Sequence, residues 1–188
     1  MNHALQLPEL FVNYFGPLDA NSQRSCALVC KTWSDAALDE LWRKLGSPKP
    51  LVSLLCRTHP QDQTPYLLGF ERPIRASDWK AFYRYASRVR KLHIELGELA
   101  ISSELSPNVF HEIARKRLST SLLPNLRRLE VGTDEMANVE DLVHTLLFMG
   151  QSVEELSLGL PRTITLESLS IRLSDFFEDC STPMPQLK

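Results

Sequence analysis

Val89-Arg90-Lys91-Leu92-His93-Ile94-Glu95-Leu96 alternates apolar and polar residues, the pattern of a strand with one face in a core. The pattern returns as Leu126-Arg127-Arg128-Leu129-Glu130-Val131 and as Val153-Glu154-Glu155-Leu156-Ser157-Leu158-Gly159-Leu160. Each copy reads apolar-x-x-Leu-x-apolar. Their starts lie 37 residues apart (89 to 126) and then 27 (126 to 153). The tail Pro183-Met184-Pro185-Gln186-Leu187-Lys188 reads as the opening of a fourth copy, cut short.

Helical periodicity fills the gaps. Pro107 to Leu118 has Ser106 as its cap and carries Val109, Phe110, Ile113 and Ala114 on one face. Asn138 to Met149 carries Val139, Leu142, Val143 and Leu146 and stops at Gly150. Leu166 to Phe177 carries Leu166, Leu169, Leu173 and Phe176. Strand, helix, strand requires a crossover, which predicts parallel strands. Stacking the copies puts Arg90, Arg127 and Glu154 in one row and Lys91, Arg128 and Glu155 in another. Cross-strand ion pairs then account for much of the basic cluster Arg88, Arg90, Lys91, Arg115, Lys116, Arg117, Arg127 and Arg128, against the rival reading of a patch for an anionic partner. The same alternation turns His93 away from Leu92 and Ile94. A strand array needs a polar cap, so the last strand is expected to present an open edge.

The rest of the composition fits a globular protein. The 188 residues are 43% apolar and 23% charged, with a formal net charge of -2. No whole-surface basic field exists, and no nucleic-acid partner is expected. The N-terminus lacks the pattern of a signal peptide and no apolar run is long enough to span a bilayer, so no membrane role is expected, and a cytoplasmic or nuclear setting is. Cys26, Cys30, Cys56 and Cys180 form no C-x-x-C pair and are read as free thiols. Cys26 and Cys30 stand one helical turn apart, but no second ligand pair accompanies them, and no metal or cofactor is expected. Cys56 and His59 lack an orienting acid, and no phosphate loop, nucleophile elbow or paired-carboxylate signature occurs, so no catalytic residue is assigned and the protein is not expected to be an enzyme.

Upstream, Ser77 caps a helix with Trp79, Phe82, Tyr83 and Ala86. Residues 47–76 read as an irregular spacer punctuated by Pro48, Pro50, Pro60, Pro65 and Pro73, with a short helix at Leu51 to Cys56 and a short strand at Tyr66 to Phe70. Before the spacer come three helical patterns. The first opens at Pro8, carries Phe11, Tyr14, Phe15 and Leu18 and is stopped by Gly16-Pro17. The second has Cys26, Val29, Cys30 and Trp33, and the third begins at Ser34 with Leu38, Leu41, Trp42 and Leu45. Three helices in about 40 residues remove too little apolar surface from water to stand firmly alone. Leu7, Leu10, Val12 and Leu28 add apolar surface off the main stripes, and some of it should meet a partner.

Leu7-Pro8-Glu9-Leu10, Phe15, Leu18-Asp19, Cys26-Ala27-Leu28-Val29-Cys30-Lys31-Thr32-Trp33 and Leu41-Trp42 together resemble the F-box pattern, with its spacing, over about a fifth of the chain. The later copies resemble the leucine-rich-repeat branch of that family. The resemblance implies a mixed α/β architecture: a three-helix F-box at residues 1–46, the spacer at 47–76, and at 77–188 a short, irregular leucine-rich-repeat-like solenoid of parallel strands and outer helices. It implies a substrate receptor of a cullin-based ubiquitin ligase, with a Skp-type adaptor and, through it, cullin as partners, and an unidentified protein as target. Carried over by position, Leu7, Pro8, Leu10, Leu28, Val29 and Cys30 would meet the adaptor, while Trp33 and Trp42 would anchor the unit or join that contact. Gln23 stands where the family usually has Leu, and Gly16-Pro17 replace a more helical pair; both predict a looser first turn. The alternative is a non-catalytic repeat scaffold, or a truncated gene product, whose F-box has decayed.

Overall fold

The computed structural model describes residues 13–61, 64–96, 105–119, 121–133, 142, 144–159, 170, 171 and 174. Residues 13–15 are helical, followed by α1 (Ala20–Ala27), α2 (Lys31–Arg43), β1 (Lys44–Leu45), α3 (Lys49–Leu55), β2 (Thr58–Gln61), β3 (Thr64–Phe70), α4 (Asp78–Ala86), β4 (Lys91–Leu96), α5 (Pro107–Lys116) and β5 (Arg128–Thr133). A 3₁₀ turn at Leu146–Phe148 precedes β6 (Glu155–Leu158).

The three sequence copies become β4, β5 and β6, parallel neighbours in one sheet. Leu92 aligns with Leu129 and Leu129 with Leu156, while Ile94 aligns with Val131 and Val131 with Leu158. A strand missed in the sequence completes the sheet: β1 pairs in parallel with β4, Lys44 beside Lys91 and Leu45 beside Leu92. Trp42-Arg43-Lys44-Leu45 thus stands in line with Val89-Arg90-Lys91-Leu92. The backbone confirms the alignment. Arg90 N donates to Arg43 O at 3.0 Å, Arg127 N to Arg90 O at 2.9 Å, and Glu154 N to Arg127 O at 2.8 Å. Because the same carbonyl position accepts at each step, the chain enters each strand from the same side of the sheet.

One apolar face of this sheet seals the main core. Leu92, Ile94, Leu129 and Val131 are buried against Val109 and Ile113 of α5, Trp79 and Phe82 of α4, and Leu122, Leu123, Leu126 and Phe148 from the connections. Helix α4 starts without a side-chain cap from Ser77. Its entry is fixed instead by Asp78, which accepts from Arg75 N at 2.8 Å and pairs with Arg72, also at 2.8 Å. The Arg72 guanidinium holds the Asp78 carboxyl below its ordinary range. Ser106 does cap α5, accepting from Asn108 N at 3.4 Å.

The expected spacer is structured. Its helix α3 places Leu51, Val52 and Leu55 fully inside the main core, and β2 and β3 form an antiparallel hairpin with a register shift at Pro60/Gln61. Two of the prolines sit where a missing N–H is tolerated, Pro50 in the first turn of α3 and Pro60 at the irregularity. Two further expectations shift. The Cys26–Trp33 stripe is not one helix, since α1 ends at Ala27 and α2 begins at Lys31. Ser34 lies inside α2 rather than at its cap. Of the helix expected over 138–149, residues 142 and 144–149 are described; the one over 166–177 and the fourth copy lie largely or wholly outside the described residues.

Candidate docking surface

The N-terminal unit is built around Phe15. Gly16 and Pro17 end the first helical stretch there, which strands the Phe15 carbonyl. That oxygen accepts from Leu18 N at 3.1 Å and from the side-chain amide of Gln23 at 2.8 Å. Gln23, expected to loosen this turn, is buried and ties it. Asp19 then caps α1, accepting from Asn21 N at 2.8 Å and Ser22 N at 3.0 Å, bonds that hold its carboxyl below the ordinary range. The Phe15 ring meets Trp33 edge-on at 5.7 Å, and Phe15 and Ala37 form a small core with Cys26, Ala27, Trp33 and Ala36 around it.

Leu28, Val29 and Cys30 make the step from α1 to α2. Leu28 N donates to Ser25 O at 3.1 Å and Val29 N to Cys26 O at 3.2 Å, so the backbone is satisfied locally. The side chains project into solvent: Leu28 is 87% exposed, Val29 63%, and Cys30 is exposed as well. Tyr14 is 64% exposed and Leu18 is also open, although both share the apolar spacing of Phe15. A scattered exposed hydrophobe is ordinary; two consecutive aliphatics and a thiol at one step make a local apolar surface.

The remaining expected site residues divide. Trp33 is half-buried in the small core. Trp42 packs on the main core, its ring 4.8 Å from that of Tyr85. The two tryptophans of α2 therefore sit in two different cores. Leu7, Pro8 and Leu10 lie outside the described residues.

A second surface is the outer face of the sheet. Arg128 pairs with Glu155, and Arg127 with Glu154 at 3.6 Å, as the row alignment predicts. His93 lies between Glu95, at 2.7 Å, and Glu130, at 3.5 Å. The Glu95 carboxylate lies close to Gly132, where a Cβ would come within 2.3 Å of Oε2. Near the hairpin, a cavity of about 270 Å³ is lined by His59, Phe70, Asn108 and Glu112. Glu112 is already engaged by Ile74 N at 2.9 Å and by Lys116 at 3.2 Å. Cys56 is buried, as its apolar neighbours in α3 are. No helix among the described residues is long and apolar enough to cross a membrane.

Compared with known proteins, residues 8–47 match the family model described as F-box-like. That range takes in the exposed step and runs through β1. F-box domains generally bind Skp-type adaptors. Neither the curated proteins nor the solved structures give a match.

Proposed function

We propose that the protein docks on a Skp-type adaptor through its F-box-like unit and thereby joins a cullin-based ubiquitin ligase as a target-binding subunit. The observation that carries this reading is the coincidence of the F-box-like match with the exposed Leu28-Val29-Cys30 step. Large apolar groups left in water at a satisfied backbone are stabilised by a partner, not by the chain itself. Leu7, Pro8 and Leu10 join the same contact in this reading, with Trp33 holding the unit's small core behind it. The parallel sheet with its outer polar face is read as a short leucine-rich-repeat-like array that receives the target. Its contribution is proximity: a bound target is held near a ubiquitin-loaded enzyme, which raises the effective concentration of its lysines. The chain itself supplies no reacting group.

The buried hydrogen bond from Gln23 to Phe15 supports an intact unit over a decayed one. A pull-down with purified adaptor tests the docking. A Leu28→Asp/Val29→Asp variant should lose binding while keeping the melting temperature of the parent, because exposed positions change stability by only about 0.5 kcal/mol. Full binding by that variant rejects the surface.

A further inference from the structure

We infer that Arg88 is a positioning residue that locks the F-box-like unit to the sheet in one orientation, so that the two halves of the protein act as a single rigid arm. Its part in presenting targets rests on the proposed docking function; the locking itself does not.

Three contacts of different kinds converge on the seam. The first is covalent and in-sheet: α2 runs directly into β1, which pairs with β4, so no flexible segment separates the unit from the sheet. The second is aromatic, Trp42 of α2 against Tyr85 of α4. These two meet near the C-terminal end of α2 and alone would leave its other end free to pivot. Arg88 supplies the third contact, a turn or two further up the helix. Its guanidinium donates to Asp35 O at 3.0 Å and to Asp35 Oδ1 at 3.2 Å, and it also pairs with Asp39. Asp35 and Asp39 are one turn apart on α2, so a single planar fork grips the same helix at two heights.

The arginine is itself held. Its side chain is only 15% exposed, while the two acids are about 60% exposed. Arg88 N donates to Tyr85 O at 2.9 Å at the end of α4, and Val89 next to it is fully buried in the main core. The base of the fork therefore belongs to the body and its tines to α2. An ordinary surface ion pair joins two mobile chains and fixes little. Here one partner is packed, a backbone carbonyl is among the acceptors, and the grip lies away from the other two contacts, which gives it leverage over rotation.

The test measures the orientation directly. Spin labels are placed at Ser25→Cys on α1 and Ser157→Cys on β6 of the full chain, with Cys26, Cys30 and Cys180 replaced by alanine and the buried Cys56 retained. The parent should give one narrow distance distribution. Arg88→Asp, which faces Asp35 and Asp39 with a like charge, should broaden or shift it, and combining it with Asp35→Arg and Asp39→Arg should restore it. A distribution unchanged by Arg88→Asp overturns the inference, as does broadening that the charge swap leaves in place. A second arm uses a reconstituted ligase with adaptor, cullin and the conjugating enzyme, and maps which of the chain's own lysines receive ubiquitin. Arg88→Asp should widen that set without loss of adaptor binding, and an unchanged set overturns the role in presentation. Failure of the parent to bind adaptor would remove the docking reading and leave the label result standing.

Discussion

The N-terminal unit and the body of this protein handle apolar surface in opposite ways. Among the described residues, the small core of the unit has two buried apolar members, Phe15 and Ala37, against twenty-three in the main core. The body turns Leu92 and Ile94 of β4 and the aligned Leu129 and Val131 of β5 inward. The unit instead puts Leu28 and Val29 outward. Burying one such side chain stabilises by about 1.5–3 kcal/mol, so the unit forgoes a stabilisation that the body collects repeatedly. What holds the unit is largely polar: the Asp19 cap and the Gln23 amide on Phe15 within it, and the Arg88 grip from the body. Such bonds fix geometry without consuming apolar surface, which leaves that surface for a partner.

Paired truncations would break this comparison most sharply. Phe82→Ala empties a site with no solvent exposure in the main core and should cost about 3–5 kcal/mol, enough to unfold much of the protein. Leu28→Ala also truncates an apolar side chain, but an exposed one, and should change stability by no more than about 0.5 kcal/mol. Urea denaturation of the two variants checks this. Similar losses would mean that Leu28 is packed in solution and that the two regions do not differ.

Acid separates the regions next. His144 is buried, stacked on Phe110 at 5.3 Å, and its Nε2 lies 3.3 Å from His111 Nε2. Burial, and then the charge of His111, push its pKa down from 6.5 to about 4. The unfolded chain then binds this proton more readily than the folded one. Stability is fully present above pH 6.5 and is lost as pH falls toward 4, by at most about 3 kcal/mol. Asp19 has its pKa lowered from 3.8 by its bonds to Ser22 and Asn21, so its cap holds above pH 3.8 and fails only as pH falls through the lower folded value. Between pH 6.5 and 4 the body should therefore weaken while the cap of the unit stays intact. Hydrogen exchange at pH 7 and pH 4.5, corrected for intrinsic rates, checks it, and His144→Phe should flatten the response of the body.

The strands were legible because alternation and burial say the same thing. Leu92 and Ile94 face inward and His93 outward on the same evidence that predicted them, and the ion pairs of Arg127 and Arg128 follow from aligned copies. The fourth strand was not legible. Trp42-Arg43-Lys44-Leu45 ends a strong helical stripe, and a two-residue strand has no period of its own. Its only signal was the match of two charged residues before a leucine to the later copies. In the spacer the helix and the second strand were legible and β2, which contains Pro60, was not, and the Arg88 grip was hidden by a sequence separation of about 50 residues that no local pattern spans. At the site itself, Leu28 was legible as apolar surface to spare, while Val29 and Cys30 sat on a helical stripe and were pointed to only by the resemblance. Which residues carried it was less clear, because Tyr14 and Leu18 keep the spacing of a buried stripe and yet lie open.

Cys30 offers the smallest and most specific test. It occupies the N-cap of α2 in an extended conformation, φ −160°, and its side chain accepts no bond from the helix. A thiol is a poor acceptor for the orphaned N–H groups there, and serine or aspartate would serve better. Asp19 shows that the same unit can use a strong cap, eleven residues earlier. A weak cap beside Leu28 and Val29 is reasonable if the position is kept apolar for docking. Cys30→Ser should then raise the stability of the free protein by about 0.5–1 kcal/mol, read as a higher melting temperature, and lower its affinity for the adaptor. A gain in stability with affinity unchanged would place Cys30 outside the contact. A loss of stability would mean that its sulfur packs against the unit, and that the contrast between an open step and a closed body ends at Val29.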